Sequence, residues 1–419
     1  MRHLLLATCL CLGALAAQAQ GSLYFPPLAG TTWATATPAS LGWCQPQLDS
    51  VLAYAGRKHS KSLLILKDGQ LVVERYYGTY TADSLWYWAS AGKSLTAALV
   101  GLAQQDGLLS IGDSTSKYLG RWTAATRPQQ KQILLRHQLA MTTGLDDTPP
   151  ATRWAYHTGA YRVLQDVLVQ ASGAASISAY TRQRLGNRIG MAGLWNNYVF
   201  YSRARDMARF GLFIQARGSW NGTSILTDAA YFAAMTAPSQ TLNGSYGYLW
   251  WLNGQPSYML PGLQATLPGP LIPAAPADLI AALGKNDQKI YVVPSLGLVV
   301  VRQGQAADLS KQAASSFDNE LWTRLMAMLC RTATATRATG NQLGYEAFPN
   351  PATDLLSLRQ PGAQASRVRL LDALGRVVRE QPAAAEMQVA VAGLPPGLYV
   401  VQWLGAGGQL VATRQFARQ

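Results

Sequence analysis

Residues Leu85 to Ala103 read LWYWASAGKSLTAALVGLA, and this stretch is compatible with two different kinds of site. Gly92-Lys93-Ser94 is the end of a phosphate-binding loop signature, whereas Ser90 and Lys93 have the spacing of an S-x-x-K nucleophile motif. A phosphate-binding loop also needs a glycine at its first position, so that backbone N–H groups can approach the phosphates, and this chain has Tyr87 there. The phosphate-loop interpretation therefore fails on its most specific requirement.

The serine and lysine of this stretch fit the chemistry of an activated nucleophile. On a helix, residues i and i+3 share a face, so Lys93 is expected beside the Ser90 hydroxyl, where the positive end of the helix dipole favours negative charge. Trp86, Trp88 and Leu95 are expected to desolvate the Lys93 ammonium and lower its pKa toward neutrality. The amine can then activate Ser90. The alternative is a helix-capping serine with an ordinary surface lysine, because S-x-x-K recurs by chance in many helices.

The composition is that of a globular protein with few charges. The 419 residues are 49% hydrophobic and 13% charged, and the formal net charge is +14. A basic excess can indicate nucleic-acid binding, but the chain has no Lys/Arg run of five or more and no zinc-finger spacing. We therefore expect no nucleic-acid partner.

The beginning of the chain has the pattern of an export signal. A basic start is followed by the apolar run LLLATCLCLGALAA and by the A-x-A cleavage site Ala17-Gln18-Ala19, so residues 1–19 are predicted to be a signal peptide. The run is too short to span a bilayer, and we expect no transmembrane segment after its removal. Cys44 and Cys330 then remain, and we expect them to pair because disulfides persist in exported proteins. Two buried free thiols are the alternative.

Hairpin and helix signals predict one mixed domain over residues 20–332. SLLILKDGQLVVERYYG is two alternating strands around Asp68-Gly69, which is a strong hairpin signal, and KIYVVPSLGLVVVRQG is a second hairpin. Segments between them have helical apolar spacing, as do LGWCQPQLDSVLAYAGR and SSFDNELWTRLMAMLC at the two ends. We expect an α/β (α+β) fold, in which one antiparallel sheet is covered by the terminal helices and carries a mostly helical insertion.

The rest of the chain differs in composition. Residues 333–344 are polar and lack periodicity, which predicts a linker. Residues 345–419 contain arginine but no lysine, and short alternating runs broken by Gly and Pro turns predict a small β-sandwich.

Several segments of the first domain resemble, in order, the serine β-lactamase-related hydrolases. This group includes class C β-lactamases, D-Ala-D-Ala carboxypeptidases, esterases and 6-aminohexanoate-dimer hydrolases. The resemblance runs from about Leu41 to Cys330, and the matching segments are LLILKDGQLVVERYYG, DGLLSIGDSTSKYLG, LLRHQLAMTTGL, WAYHTGAYRVLQDVLVQASG, YGYLWWL and ALGKNDQKIYVVPSLGLVVVR. It implies a β-lactamase/transpeptidase-like antiparallel sheet flanked by helices, with a helical subdomain.

The resemblance also implies a role for each matching residue. Ser90 would be the acylated nucleophile and Lys93 its proton-accepting partner. Tyr156, at the position of the family's Tyr-x-Asn motif, would carry the proton to the leaving group, which requires a cation such as Lys93 to lower the pKa of the phenol. The oxyanion hole would use the backbone N–H groups of Ser90 and Lys285.

Two motifs depart from the family pattern. Thr158 occupies the position of the asparagine in the second motif. Ala282-Leu283-Gly284 replaces Lys-Thr-Gly or His-x-Gly in the third motif, so the cation that binds a substrate carboxylate is missing, although Lys285 follows directly. We therefore expect a small-molecule ester or amide, or a peptide-like substrate, without that carboxylate.

An apolar pocket is expected beside these motifs. Trp88 and Trp250, together with Trp86 and Trp251, are candidates for its walls, with about half of the four expected in the plain core.

No metal or cofactor is expected. His59, His137 and His157 have no ligand spacing to one another or to carboxylate pairs. His137 is predicted to be a helix-capping or core residue.

The last residues, 345–419, resemble the C-terminal sorting domain of proteins exported by the type IX system of the Bacteroidetes. The matching segments are FPNPATDLLSLRQ, LLDALGRVVRE and LPPGLYVVQW, in which Gly375 and Gly397 are predicted to allow tight turns. The resemblance implies the type IX secretion machinery as a partner and a final location in the medium or at the outer cell surface. An accessory binding sandwich, such as a carbohydrate module, is the alternative.

The leading hypothesis is an exported serine hydrolase that forms an acyl-enzyme on Ser90. Within enzymes, a β-lactamase or D-Ala-D-Ala carboxypeptidase is the second hypothesis. A catalytically idle protein of the same fold that binds an envelope polymer is a hypothesis from another class, which the two altered motifs favour.

Overall fold

The structure is a computed structural model that describes residues 23–124, 127–145, 148–308, 316–330, 344–362, 364–372 and 376–419. The chain divides into two compact units after Cys330. The predicted signal peptide, all but the last residue of the predicted linker, and the predicted turn at Gly375 lie outside the described residues.

The first unit alternates helices and strands. Its helices are α1 Gln45–Arg57, α2 Gly92–Gln105, α3 Thr115–Leu119, α4 Arg127–Gln132, α5 Leu135–Leu139, α6 Thr158–Ser172, α7 Ile177–Thr181, α8 Asn187–Ile189, α9 Ala204–Gln215, α10 Ala229–Met235 and α11 Phe317–Met328. Its strands are β1 Ser60–Lys67, β2 Gln70–Tyr76, β3 Trp86–Tyr87, β4 Leu194–Asn196, β5 Val199–Ser202, β6 Ser219–Trp220, β7 Thr223–Ser224, β8 Trp251–Leu252, β9 Ser257–Tyr258, β10 Leu267–Pro268, β11 Ile280–Gly284, β12 Gln288–Val293 and β13 Leu298–Gly304.

A six-stranded antiparallel sheet forms the centre of this unit, with strand order β2-β1-β13-β12-β11-β8. The predicted hairpin at Asp68-Gly69 joins β1 to β2, and both turn residues have positive φ, 49° and 84°, as a two-residue hairpin turn requires. β12 and β13 form the second predicted hairpin, and every residue of both strands is buried. Both hairpin predictions and the antiparallel sheet are confirmed.

Helices cover both faces of the sheet. A Cβ added to Gly211 of α9 would lie 3.1 Å from Ile290 of β12, whereas the next residue, Tyr291, packs edge-on against Trp322 of α11 at 5.6 Å. Successive residues of a strand point to opposite faces, so α9 and α11 lie on opposite sides of the sheet. This double cover explains why β12 and β13 read as continuous apolar runs without alternation.

A disulfide joins the two ends of the first unit. Cys44, just before α1, is bonded to Cys330, just after α11, with the Cα atoms 5.5 Å apart. The two helices also pack together, since the rings of Tyr54 and Phe317 stack at 5.7 Å. The predicted pairing of the cysteines is confirmed.

The helical part of the unit is built around α2. Every residue from Gly92 to Ala103 is buried, including the polar Lys93, because α6 and α10 pack against this helix. A helix that is apolar on all sides needs such a complete cover.

The second unit is a small β-sandwich. Its strands are β14 Glu346–Phe348, β15 Leu355–Arg359, β16 Arg367–Leu371, β17 Val377–Pro382, β18 Glu386–Ala390, β19 Gly397–Leu404 and β20 Leu410–Arg418. They form the sheets β14-β15-β18 and β17-β16-β19-β20. Leu356 from the first sheet and Val368, Trp403 and Phe416 from the second share one buried core. The predicted sandwich is therefore confirmed.

In neither unit do the described residues include a helix that is both long and apolar enough to cross a membrane.

Candidate active site

Ser90, the predicted nucleophile, lies in a tight turn that directly precedes helix α2. Ala89 to Ala91 form a 3₁₀ turn, and α2 begins at Gly92. Ala89 has φ 48°, a left-handed conformation that a residue with a Cβ rarely adopts. Such conformations persist only where the surrounding structure holds them, and they are concentrated at functional sites. The turn thus places Ser90 just before α2, whereas Ser90 and Lys93 were expected to lie on one helix.

Lys93 reaches back from the first turn of α2 to Ser90. Its Nζ lies 2.9 Å from Ser90 Oγ, within hydrogen-bond distance, and the lysine is only 2% exposed. Burial, with a smaller contribution from the cation of Arg162, lowers the pKa of Lys93 to about 7. The direction of this shift is the one expected from the sequence. A substantial fraction of the amine is therefore neutral near pH 7 and able to accept a proton.

The groups around Lys93 differ from those expected. Its Nζ lies 4.9 Å from the ring centroid of Tyr156 and 4.6 Å from that of Tyr161. Trp88 packs elsewhere, because its ring is turned away into the core. The lysine is thus enclosed by two phenol rings, one from the segment just before α6 and one from its first turn, both more than sixty residues along the chain.

Tyr156 meets the serine–lysine pair from the segment before α6. Burial raises the pKa of Tyr156 to about 12, although a hydrogen bond between its side chain and Ser90 acts in the opposite direction. The expected lowering of the phenol pKa is therefore wrong, because burial of the Tyr156 side chain outweighs the effects that would lower its pKa. Tyr156 keeps its proton at neutral pH and can act as a proton donor.

Aromatic neighbours hold the Tyr156 ring in place. Trp251 stacks on it at 6.1 Å with 21° between the ring planes, and Tyr246 meets it edge-on at 6.3 Å. Tyr246 and Trp251 are in turn packed edge-on at 4.9 Å. The phenol is consequently oriented by packing, which is what a proton-transfer group needs.

The end of β11 passes directly against the nucleophile turn. A Cβ added to Gly284 would lie 2.4 Å from the carbonyl oxygen of Trp88 and 3.1 Å from the backbone nitrogen of Ala91. The φ of Gly284, −122°, is ordinary, so this position needs glycine for space and not for conformation. The close approach brings the backbone of Lys285 to the edge of the turn that carries Ser90, as an oxyanion hole would require.

A buried arginine fixes the backbone just beyond this strand. Arg302 of β13 is completely buried, and its Nη1 donates to the carbonyl oxygens of Asn286 and Asp287, each at 2.9 Å. Both residues have positive φ, 61° and 60°. Asn286 also donates from its side-chain amide to the hydroxyl of Tyr87 at 2.8 Å. The strained turn after Lys285 is therefore held from two sides.

Four residues of the predicted binding set are either exposed or buried in the core. Thr158 is the exposed first residue of α6, and Ala282 is fully buried within β11. Trp88 and Trp250 were expected to line the pocket, but both are completely buried. Trp88 packs edge-on against Phe200 at 5.0 Å, and Trp250 stacks on Phe210 at 5.9 Å. They support the site from behind, so their predicted place in the pocket wall is wrong.

A cavity of about 330 Å³ opens beside Tyr156 and the end of β11. It has apolar walls with charged residues at one end, and its lining residues are Tyr156, Trp251, Tyr258, Leu260, Pro261, Leu271, Ile272, Leu283, Gly284, Lys285, Asp287, Lys289, Asp318 and Asn319. Of the tryptophans considered from the sequence, Trp251 is the one in this wall.

Three residues of this region were not singled out from the sequence. Tyr161 lies one helical turn beyond the second motif, and its only signal was the apolar spacing of α6. Arg302 lies within a run of valines, where a charge is itself a sign of a buried polar role. Asn286 is the second residue after the third motif.

The histidines have structural roles. His157 is the cap of α6, accepting a hydrogen bond from the backbone of Ala160 at 3.0 Å, and His137 accepts one from the backbone of Leu134 at 3.2 Å. The predicted capping role of His137 is confirmed. Within the described part of the chain, no three His, Cys, Asp or Glu residues are grouped so as to hold a metal ion.

Sheet topology, helical subdomain and nucleophile turn together define a β-lactamase-type fold. Residues 50–302 match the beta-lactamase family, and the chain belongs to this family. Residues 346–415 match the secretion system C-terminal sorting domain, so the second unit is a sorting domain.

Individual relatives agree with this assignment. The chain is 22% identical over 289 residues to an uncharacterized protein of Alkalihalophilus pseudofirmus, covering 58% of this chain and 82% of the relative. Among solved structures, a protein of Bacillus anthracis described as a 6-aminohexanoate-dimer hydrolase has a TM-score of 0.55 at 16% identity, covering 71% of this chain and 87% of its own. A protein of Bacteroides dorei described as a β-lactamase has a TM-score of 0.54 at 18% identity, covering 68% and 99%. At such identities the structural likeness concerns the fold.

Proposed function

We propose that this protein is an exported serine hydrolase that cleaves an ester or amide through an acyl-enzyme on Ser90. The observation that carries the proposal is the 2.9 Å contact between Ser90 and a buried Lys93 whose pKa is lowered to about 7. Tyr156 completes the set, since its ring centroid lies 4.9 Å from Lys93 Nζ. A nucleophile, a base that is neutral near pH 7 and a protonated acid are the groups that acyl transfer needs.

Acylation begins with the neutral amine of Lys93. It accepts the Ser90 proton as Oγ attacks the carbonyl carbon of the substrate, and the carbonyl π electrons move to oxygen. The backbone N–H groups of Ser90 and Lys285 stabilise this oxyanion, a role supported by the close approach of Gly284 to the nucleophile turn. When the intermediate collapses, Tyr156 donates its proton to the leaving alcohol or amine. It regains a proton from the Lys93 ammonium.

Deacylation follows the same route in reverse. A water molecule takes the place of the leaving group and attacks the acyl carbon, while its proton passes through Tyr156 to Lys93. Ser90 then leaves with a proton, and the acid product is released. No step requires a metal or cofactor among the groups named.

The altered motifs favour substrates without a carboxylate next to the scissile bond. Ala282 is buried and uncharged where related enzymes carry a cation, and Thr158 is exposed at the start of α6. A carboxylate brought against Leu283 and Gly284 would lose water, and the neighbouring cation, Lys285, is exposed and so offers no buried partner. This favours simple esters and amides over β-lactams and D-Ala-D-Ala peptides.

The sorting domain supports export through the type IX machinery. The predicted signal peptide, residues 1–19, would direct the first step across the inner membrane. The predicted sorting domain, residues 345–419, would then engage the secretion machinery, with the hydrolase domain 20–332 and the linker 333–344 ahead of it. The protein would finally be in the medium or on the outer cell surface.

Labelling with a fluorophosphonate probe tests the nucleophile. The wild type should be labelled, and Ser90→Ala should not. Ser94→Ala is the matched control, because Ser94 lies on the same helix but donates to the carbonyl oxygen of Leu249 at 2.7 Å. Equal labelling of wild type and Ser90→Ala would refute the assignment.

The departures at Thr158 and Ala282 also favour a second candidate, an idle binder of an envelope polymer. A panel of p-nitrophenyl esters separates the two candidates, since hydrolysis supports the enzyme. Absence of hydrolysis with retained binding to peptidoglycan would support the binder. Efficient turnover of a chromogenic cephalosporin would instead favour a β-lactamase.

A further inference from the structure

The cavity beside Tyr156 has a wall suited to an apolar ring. Trp251 and Tyr156 present nearly parallel rings, with 21° between their planes, and Tyr258, Leu260 and Leu283 continue the wall. Its volume of about 330 Å³ lies at the lower end of the range of small-molecule sites. Aromatic groups of a ligand gain from both apolar burial and ring stacking in such surroundings.

The carboxylates at the charged end of the cavity are already paired. Lys289 Nζ lies 3.2 Å from Asp287 and 2.9 Å from Asp318, and the hydroxyl of Tyr291 also donates to Asp318. Both carboxylates therefore already have partners. A cationic group of a ligand would have to compete with Lys289 for them, which disfavours a positively charged substrate here.

What this end still offers is a hydrogen-bond donor. The side-chain oxygen of Asn319 accepts from the backbone of Ala274 at 2.8 Å, which turns its amide N–H groups to the other side. Asn319 lines the cavity. An amide N–H in such a place can donate to an ether or carbonyl oxygen of a neutral ligand.

Leu283 decides the character of the cavity near the scissile bond. It directly precedes Gly284, whose backbone touches the turn that carries Ser90, so it is the apolar side chain of the wall nearest to that turn along β11. Lys285, after Gly284, also lines the cavity, but it is exposed to solvent. An apolar side chain at this point excludes a charged substituent next to the reacting carbonyl.

From these features we propose that the substrate carries a neutral aromatic group on one side of the scissile bond, with a hydrogen-bond acceptor at the far end of the ring. The ring occupies the cavity between Trp251 and Leu260, and the acceptor meets Asn319. This inference rests on the proposed hydrolase function and names the substrate class of the same site.

Two series of esters test the proposal with the full-length secreted protein. In the first, p-nitrophenyl is constant and the acyl group is acetyl, 3-phenylpropanoyl, 3-(4-methoxyphenyl)propanoyl or hemiglutaryl. In the second, acetyl is constant and the alcohol is ethanol, 2-phenylethanol or 2-(4-methoxyphenyl)ethanol. In one of the two series, the kcat/KM of the aromatic member should exceed that of the smallest member by about tenfold or more. The hemiglutaryl ester should be the poorest substrate of the first series.

Matched variants locate the effect. Leu260→Ala should lower the ratio of aromatic to small-substrate kcat/KM about tenfold. Leu263→Ala, a leucine that is 40% exposed and does not line the cavity, should leave the ratio and the activity unchanged. Asn319→Ala should remove the advantage of the methoxy group, about fivefold, and leave the unsubstituted ring unaffected.

The outcomes separate the two proposals. If Ser90 is labelled and acetate esters are cleaved but neither series prefers its aromatic members, or if Leu260→Ala behaves like Leu263→Ala, the substrate inference is overturned and the hydrolase stands. If no ester in either series is cleaved and Ser90 is not labelled, the hydrolase proposal itself fails, and the inference fails with it.

Discussion

The two halves of the candidate site are built in different ways. Ser90, in the turn just before the buried helix α2, and Lys93, in the first turn of that helix, lie three residues apart, and their contact follows from that spacing. Tyr156 and Gly284 come from distant parts of the chain and are brought to the serine by tertiary packing. Stacking on Trp251 positions Tyr156, and close backbone contact positions Gly284. The first half depends on local geometry, whereas the second depends on the whole fold.

This difference has a chemical counterpart. In the proposed mechanism the local half supplies the nucleophile and the base, and burial is the larger of two causes that lower the pKa of Lys93, the other being the cation of Arg162. In the same mechanism the distant half would supply the proton donor and the oxyanion contacts, which must be held to within a fraction of an ångström to be useful. We therefore expect substitutions in the first half to abolish the chemistry, and substitutions in the second half to weaken it in graded steps.

The largest effect is expected for Lys93→Met, which keeps an unbranched side chain of similar length but removes the base. We expect kcat/KM for ester hydrolysis to fall about 10⁴-fold, because Ser90 then lacks a proton acceptor. Lys117→Met, at a lysine whose side chain is 58% exposed on α3, is the control and should behave like the wild type. If Lys93→Met retained more than about a tenth of the activity, Lys93 would not be the base.

Tyr156→Phe should have the next largest effect, and its size should depend on the leaving group. The ring and its stacking on Trp251 remain, but the proton donor is lost. We expect a fall of about 10³-fold for esters of basic alkyl alcohols and a much smaller one for p-nitrophenyl esters, whose leaving group needs no proton. Tyr248→Phe, which removes a hydroxyl from another partly buried tyrosine, is the control. An equal loss for both classes of ester would contradict proton donation by Tyr156.

Gly284→Ala tests the backbone contact between β11 and the turn that carries Ser90. The new methyl carbon has no room beside the Trp88 carbonyl, so β11 must move away from the nucleophile turn. A displacement of this kind should lower kcat/KM about 10²-fold, with a loss of about 1–3 kcal/mol in the free energy of unfolding. Gly112→Ala is the control, since its added carbon would meet only Ser110 Oγ at 3.4 Å. Wild-type activity in Gly284→Ala would mean that the strand does not contribute to the oxyanion site.

The smallest effect concerns the pH dependence. The wild-type kcat/KM should rise with pH and level off above the Lys93 pKa of about 7, because the amine must lose its proton to act as base. Tyr156, with its pKa raised to about 12, keeps its proton over the same range. Arg162→Gln removes a cation near Lys93. Loss of that cation makes the ammonium form of Lys93 more favourable, so the midpoint of the pH–rate profile should move upward by less than about one pH unit. A pH–rate profile that shows a downward shift would contradict the role of Arg162.

The sequence predicted the local half of the site and the frame of the fold. The Asp68-Gly69 hairpin, the pairing of Cys44 with Cys330 and the S-x-x-K contact each follow from short-range patterns or from a simple count. The sandwich of the second unit followed from alternating runs and turn residues in the same way. Such features depend on few neighbours, so little of the tertiary structure is needed to infer them.

The distant half could be predicted only in outline. Trp250 and Trp251 are adjacent and chemically identical, and only the direction of the chain at β8 sends one into the core and the other into the cavity wall. The pKa of Tyr156 moved up, because the burial that the sequence does not reveal outweighs the charge that it does. The hold of Arg302 on Asn286 and Asp287 joins strands that no spacing rule connects.

The most direct test of the central claim is the mass of the protein trapped during turnover. The wild type would be mixed with a slowly hydrolysed ester, quenched in acid and digested, and the peptide containing Ser90 would be examined for the acyl group. We predict an acyl adduct on Ser90 in the wild type and none in Ser90→Ala under the same conditions. An adduct on another residue, or continued ester turnover by Ser90→Ala at the wild-type rate, would contradict the acyl-enzyme mechanism.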